Sequence, residues 1–310
     1  MKVLVLGASG GMGYALVKEL CARGISVVAF ARGKEKLRQL FQQEKLVEII
    51  GGDVFNLEEV EKAAQGVEII FHAINVPYEE WTDKQPQLLA NILHVAKQRA
   101  TKLVMVDNIY AYGRSNGKKV TEDVQKNPHT KKGKIRLQLE KMAKQSGVDV
   151  LICHFPDFYG PHATNTLLHF TLEQIVRNKR AMFVGDLHIA REYIYTPDGA
   201  RALVELALRN DTYNQNWNIP ASDLITGTEI VSLAQEIIAY KKKAFVVKKG
   251  FIRMLGMFNK NMREVVEMFY LTEEPVILSG EKYEREIGLF PCTSYQEGIR
   301  QTLESIQQQS

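Results

Sequence analysis

The stretch that most limits what this chain can become is its first fifteen residues, MKVLVLGASGGMGYA. Val3, Leu4, Val5 and Leu6 form an apolar run without a strong polar break, which reads as a strand buried on both faces. That run leads straight into Gly7, Gly10, Gly11 and Gly13. Gly7 permits a tight turn, Gly10 and Gly11 let backbone N–H groups approach a pyrophosphate, and Gly13 lets the next helix pack closely on the strand. Ser9 and Met12 complete the cradle. The helix, with Ala15, Leu16, Val17 and Leu20 as its apolar stripe, aims its positive end at the phosphates.

Composition narrows the partners. Forty Lys and Arg against 36 Asp and Glu leave a net charge of +4 over 310 residues, which gives dedicated nucleic-acid binding no support. Cys21, Cys153 and Cys292 are an odd, scattered set that indicates neither a disulfide framework nor a metal site and fits a reducing cytoplasm. Residues 1 to 6 enter the first strand directly, leaving no room for a signal peptide, and no apolar run reaches spanning length. The expectation is a soluble, cytoplasmic protein with no membrane partner.

A second strand over Ile25 to Phe30 completes a strand–helix–strand unit of the kind a parallel sheet needs. It ends in Ala31-Arg32-Gly33-Lys34, where an NAD site would usually carry an acid for the ribose hydroxyls. Arg32, with Lys34 or Lys36 beside it, can instead pair with a 2'-phosphate, so NADP is the expected cofactor and NAD the alternative. The bland reading of these residues is a solvated basic turn.

In the glycine loop, two residues separate Gly7 from Gly10, one more than in the common dinucleotide fingerprint. The longer form GASGGMG resembles the loop of the short-chain dehydrogenase/reductase superfamily, in its extended and atypical branches. The resemblance implies an α/β fold, a Rossmann-type doubly wound parallel sheet with a smaller C-terminal α/β substrate lobe. It places the dinucleotide-binding domain at residues 1–160 plus 181–220, and the substrate lobe at 161–180 plus 221–310. It implies that Asp53 and Val54 hold the adenine, and that Ala73 and Asn75 lie near the nicotinamide ribose. His72 reads better as a packed strand histidine than as a base. Residues 76–86, with Pro77, Tyr78, Trp81 and Pro86, read as an aromatic loop that lines a pocket or caps the sheet. Leu88 to Lys97 has helical spacing; in extended relatives this helix and the one near 133–145 pair to form a homodimer.

The catalytic centre departs from the pattern. Family chemistry uses a Tyr with a Lys four residues on, the Lys lowering the phenol pKa while nicotinamide moves a hydride. Aligned on Glu140, those positions hold Lys132 and Arg136, and no tyrosine occurs from 113 to 158. The usual substrate-binding hydroxyl falls on Asn108, whose amide can donate a hydrogen bond but cannot relay a proton. Three readings stay open. Tyr110 sits on the same face as Asn108 by strand alternation and is activated by Lys132; or Lys132 is itself the acid or base; or the site is inert and the fold senses NADP(H) or binds a partner. Asp107 can orient Lys132 or Arg136 in each, and the bland reading of the basic residues is a solvated helix face.

Farther on, Pro156-Asp157-Phe158-Tyr159-Gly160-Pro161 resembles the extended-branch segment that supplies the nicotinamide side, which makes Tyr159 a cofactor contact; His154 stands where relatives often have Arg. Arg191 to Ala200 resembles the return segment, with a helix capped by Asp198 and with Arg191 toward the diphosphate or sugar of a nucleotide-sugar substrate, against the simpler reading of an exposed charge. Lys241 to Lys249 is a basic run, and Phe251 to Tyr270 reads as a core or pocket-covering helix in preference to a membrane-surface element. Ser279 to Leu289, Pro291 and Glu297 to Leu303 resemble the closing signature, followed by a short polar tail at Gln307 to Gln309 that is expected to fray. The reaction implied is hydride transfer at a carbinol carbon, in an epimerase, dehydratase or reductase.

Overall fold

The computed structural model describes residues 1–289 and 292–309; Pro291 of the closing signature lies outside them. In chain order the first half comprises β1 (Lys2–Leu6), α1 (Gly11–Ala22), β2 (Ser26–Ala31), α2 (Lys34–Phe41), β3 (Val47–Gly51), α3 (Leu57–Ala63), β4 (Ile69–His72), α4 (Trp81–Arg99), β5 (Lys102–Asn108), α5 (Lys131–Lys144) and β6 (Val150–Phe155). The second comprises β7 (Asp157–Tyr159), α6 (Leu167–Val176), β8 (Met182–Val184), β9 (Arg191–Tyr195), α7 (Thr196–Ala207), β10 (Gln215–Asn218), β11 (Leu224–Ile225), α8 (Gly227–Ile238), β12 (Phe245–Val247), α9 (Lys249–Gly256), α10 (Lys260–Val266), α11 (Tyr270–Glu273), α12 (Glu281–Glu286) and α13 (Tyr295–Gln309). Single 3₁₀ turns occupy Tyr78–Glu80 and Ile109–Tyr112.

Seven strands pair in parallel in the order β10-β6-β5-β4-β1-β2-β3. The order reverses between β1 and β4, and in such sheets ligands bind beyond the carboxyl ends of the strands at that point. The opening apolar run explains why β1 lies at the centre. Leu4 and Leu6 enter the core with Ile92, Leu103 and Leu139, while Val3 and Val5 enter the opposite core with Leu16, Val104 and Leu203. All four are fully buried, each contributing about 1.5–3 kcal/mol. A polar residue at any of them would face a core on one side or the other.

The smaller lobe holds a three-stranded sheet, β11-β9-β7, and the pair β12-β8. Its core is built from Leu172, Phe183, Tyr195, Ile230 and Leu303. Among the described residues no helix is long and apolar enough to cross a membrane.

Three local expectations are corrected. The stretch 76–86 is not a loop, because α4 begins at Trp81 and runs through Pro86. Trp81 and Gln85, both fully buried, continue the face of Leu88 and Leu89 one and two turns back, and this packing outweighs the backbone bond lost at Pro86. Asp198 does not cap α7. The helix starts at Thr196, with Pro197 in a first turn that needs no N–H, and Asp198 accepts hydrogen bonds from Thr293 N (2.7 Å) and Oγ1 (2.9 Å). Finally, the tail Gln307 to Gln309 is helical, as the end of α13.

Candidate functional site

The glycine loop crosses from β1 to α1 at the switch point. Gly7 has φ +86°, its N–H donates to Phe30 O (2.9 Å), and a Cβ there would lie 2.9 Å from the Ala73 carbonyl. A Cβ at Gly13 would lie 2.1 Å from Gly7 O, so this glycine seats α1 against the loop as the sequence suggests. Gly11 answers to the protein itself, since its Cβ would meet Ala163 at 2.6 Å. Met12 is buried, its Cε 2.9 Å from where a Cβ on Gly199 would stand, so its side chain bridges α1 and α7. Ser9 is half-buried.

At Gly10, the position that caps α1, no side chain makes a capping bond. Among the described residues the amides of Gly11, Met12 and Gly13 have no acceptor, whereas Tyr14 N bonds Gly10 O at 2.7 Å. Three free amides at the positive end of a helix suit an anionic phosphate.

Arg32 is exposed just beyond β2 and forms no ion pair among the described residues. Asp53 is exposed beyond β3, its Oδ1 accepting from Phe55 N (3.0 Å), and Val54 beside it is buried. Ala73 lies against Gly7, and Asn75 Oδ1 accepts from Val76 N (3.0 Å) and Gln85 Nε2 (2.8 Å). Tyr159 does not fit a cofactor contact through its side chain. At 1% exposure it packs against Tyr195 and Tyr295 in the small-lobe core, its hydroxyl next to Gly298.

The face shared by Asn108 and Tyr110 is also corrected. β5 ends at Asn108, whose Oδ1 accepts from Tyr110 N (3.0 Å) and so caps the 3₁₀ turn that follows; strand alternation stops there. Tyr110 instead meets Tyr78, hydroxyl to hydroxyl at 2.5 Å, with Trp81 stacked on it. Burial pushes the Tyr78 phenol up to about 12 and the Tyr110 phenol well above its ordinary value, and the nearby Asp157 carboxylate adds to both shifts. The Asp157 carboxyl is itself raised by burial, with Arg191 opposing. Arg191 is neither an exposed charge nor turned toward solvent: it is buried, donates to Val184 O (3.1 Å) and lies over the Tyr193 ring. Tyr78 and Asp157 carried no catalytic assignment in the sequence, because the meeting of Tyr78 with Tyr110, 32 residues on, leaves no mark in periodicity.

Lys132 is fully buried and ion-paired with Glu264 and Glu267, and its Nζ lies 5.6 Å over the Tyr78 ring. Among the described residues no hydrogen bond joins it to Tyr110. Arg136, in the family's lysine position, reaches Asp107 (3.5 Å) and stacks on Trp81 (4.4 Å). Burial raises the Asp107 carboxyl against the opposing pull of Arg136.

Behind Asn108, His154 Nδ1 faces Asn108 O (3.2 Å) and Nε2 faces Lys126 Nζ (2.7 Å). A lysine ammonium can only donate, so Nε2 accepts and Nδ1–H donates to the carbonyl. Glu140, paired with Lys126 and Lys144, is held down at about 2 despite its burial.

His72 is a buried strand residue whose Nδ1 accepts from Ile74 N (3.3 Å). Burial first, and Arg136 second, depress it to about 3. Its folded pKa lies below the unfolded value near 6.5, so the unfolded chain binds more protons between pH 6.5 and 3, and stability falls as pH falls through that window. His72→Asn keeps an acceptor and removes the titration. From pH 6 to 4 the wild type should lose about 1.4 kcal/mol more per pH unit than the variant in urea titrations. The difference between the two proteins cancels opposing groups such as Glu192, which burial raises to about 7. Parallel slopes would disprove the assignment.

The model of the NAD dependent epimerase/dehydratase family matches residues 3–219. The chain belongs to that family. Solved structures similar to it across the whole fold include UDP-glucuronic acid 4-epimerase from Bacillus cereus, solved with NAD, at 18% identity over 100% of this chain and 99% of that one (TM-score 0.81). Another is dTDP-glucose 4,6-dehydratase from Bacillus anthracis, also solved with NAD, at 16% identity over 99% and 97% (TM-score 0.81). At such identities the likeness is one of fold. The 2-alkyl-3-oxoalkanoate reductase of Shewanella oneidensis is 36% identical over 88 residues, 28% of this chain, and the match spans 21% of that relative's length.

Proposed function

We propose that this family member is an NADP(H)-dependent oxidoreductase that moves a hydride at a carbinol carbon, with the Tyr110–Tyr78 pair as its proton donor. The observation that carries the reading is the 2.5 Å contact between two phenols, both raised and hence protonated at neutral pH. One hydrogen bond between two hydroxyls uses one proton, and the other remains for a substrate oxygen. When bound, the nicotinamide supplies or accepts the hydride. The free amides at Gly11, Met12 and Gly13 hold its pyrophosphate, Asp53 and Val54 the adenine, and Ala73 and Asn75 the ribose side. Asn108 keeps the Tyr110 turn in place. Lys132, locked to two carboxylates, is assigned to positioning α10 beside the site. A nucleotide-sugar is one substrate class that the two solved relatives support by fold; a simple carbonyl compound is the other.

Arg32 favours NADP(H) although both solved relatives hold NAD. Arg32→Ala should weaken NADPH binding by about 10–100-fold, the worth of a charge-assisted hydrogen bond, and leave NADH binding within about twofold in calorimetry. Equal losses for both cofactors would remove the guanidinium from the 2'-phosphate. The reaction is tested by loading the protein with NADPH and screening carbonyls and nucleotide-sugars for loss of absorbance or conversion. Tight NADPH binding without turnover on any of them would favour the second reading, a cofactor sensor, which the replacement of the family's Tyr and Lys by Lys132 and Arg136 supports.

A further inference from the structure

Residues 241–263 hold eight of the chain's 40 Lys and Arg and none of its 36 Asp and Glu, so the remainder of the chain has more acids than bases. Seven of the eight cations are exposed. Among the described residues none of them is ion-paired; Lys242 Nζ donates to the Asn178 carbonyl (2.5 Å). The nearest acids that follow, Glu264 and Glu267, are already engaged with Lys132 on α5.

The same stretch carries apolar side chains that the fold leaves partly or largely uncovered. Phe251, Met254 and Leu255 share one face of α9 at the i, i+3, i+4 spacing and are 38%, 47% and 39% exposed, Phe251 lying edge-on to Phe245, and Met257 and Phe258 in the turn that follows α9 are 71% and 89% exposed. The opposite face of α9 already supplies the packing. Ile252 is buried with Val184, Val247 and Phe269, and a Cβ on Gly256 would stand 2.9 Å from Arg263 Cα, so α9 and α10 are closely seated there. The outer stripe is therefore surplus to the core.

We propose that the α9–α10 hairpin docks this protein on an anionic lipid bilayer, with Met257 and Phe258 entering the acyl boundary and the surrounding cations meeting lipid phosphates. An amphipathic helix with bulky apolar groups on one side and Lys and Arg around them binds a membrane surface through both terms together. A second copy, meeting this patch with its own, would bring eight cations against eight without a carboxylate between them. A nucleic acid would use the charges and leave the Met and Leu tip in water. The proposal does not depend on the oxidoreductase reading. It replaces the expectation of no membrane partner with peripheral attachment, without a spanning helix.

Co-sedimentation of the full chain with vesicles tests it. With about 30% phosphatidylglycerol in phosphatidylcholine and about 100 mM NaCl, most of the protein should pellet; neutral phosphatidylcholine, or about 500 mM NaCl, should leave it in solution. The double variant Met257→Ser, Phe258→Ser alters side chains that are mostly in water, so its circular dichroism should match wild type while vesicle affinity falls at least about tenfold. Three results would overturn the proposal: no pelleting of the wild type, pelleting of the double variant equal to wild type (which would signify charge binding to any polyanion), or a dimer in light scattering that the variant abolishes while vesicles bind neither protein.

Discussion

Replacing Tyr110 by Phe should lower kcat for the proposed carbonyl reduction by about 10²–10⁴-fold, the usual worth of a positioned general acid, and leave NADPH affinity and melting temperature close to wild type. The phenol holds its proton at neutral pH because its environment opposes ionisation: burial comes first, and the Tyr78 and Asp157 groups add to it. The family's Tyr–Lys arrangement lowers a phenol pKa so that the group can also accept a proton. Here the lysine position holds Arg136, which faces Asp107 and Trp81. The phenol thus enters reduction already protonated and does not supply the base that the reverse direction needs. Tyr78→Phe should cost a similar factor, and the double variant little more than either single one, because two hydroxyls that share one hydrogen bond act as a unit. Steady-state rates for the three variants decide it. Losses that multiply would mean that the phenols act separately, and unchanged turnover in Tyr110→Phe would place the proton donor elsewhere.

What could be read in the sequence follows from which forces are local. β1 was legible because a strand buried on both faces must be apolar at every position, and Gly7 and Gly13 because a left-handed turn and a close helix seat each exclude a side chain. The start of α4 was hidden by Pro86, whose breaking tendency is local while the burial of Trp81 that overrides it is tertiary. Asn108 and Tyr110 were placed on one face by an alternation that the amide itself ends by capping the next turn. Tyr78 reached the site through a short 3₁₀ turn with no periodicity to announce it. The Lys126, Glu140 and His154 cluster joins three separate segments, and the sequence offers only the hint that His154 replaces a common Arg. The chemistry of the site thus rests largely on contacts between distant segments, and those are the contacts that a pattern cannot show.

Gly13→Ala should destabilise the fold by about 3 kcal/mol or more and abolish dinucleotide binding, while Gly10→Ala should weaken binding with little effect on stability. The atoms that a methyl at position 13 would strike are all backbone: Gly7 O at 2.1 Å, Gly7 C at 2.7 Å and Ala8 Cα at 2.9 Å. None of these can swing aside as a side chain would. Gly7 is pinned in turn, by φ +86°, by its bond to Phe30 O and by the Ala73 carbonyl beside it. The strain must then be relieved by lifting α1, which carries Leu16, Val17 and Leu20 out of register with the core over β1. At Gly10 φ is −91°, and a Cβ would find Gly7 O at an ordinary 3.5 Å. Its methyl would stand at the open end of α1, in the space a pyrophosphate needs. Thermal melts with calorimetric NADPH titrations of both variants separate the two roles. A Gly13→Ala protein that melts within about 2 °C of wild type would refute the close seating of α1, and a Gly10→Ala protein with full NADPH affinity would move the phosphates away from this helix end.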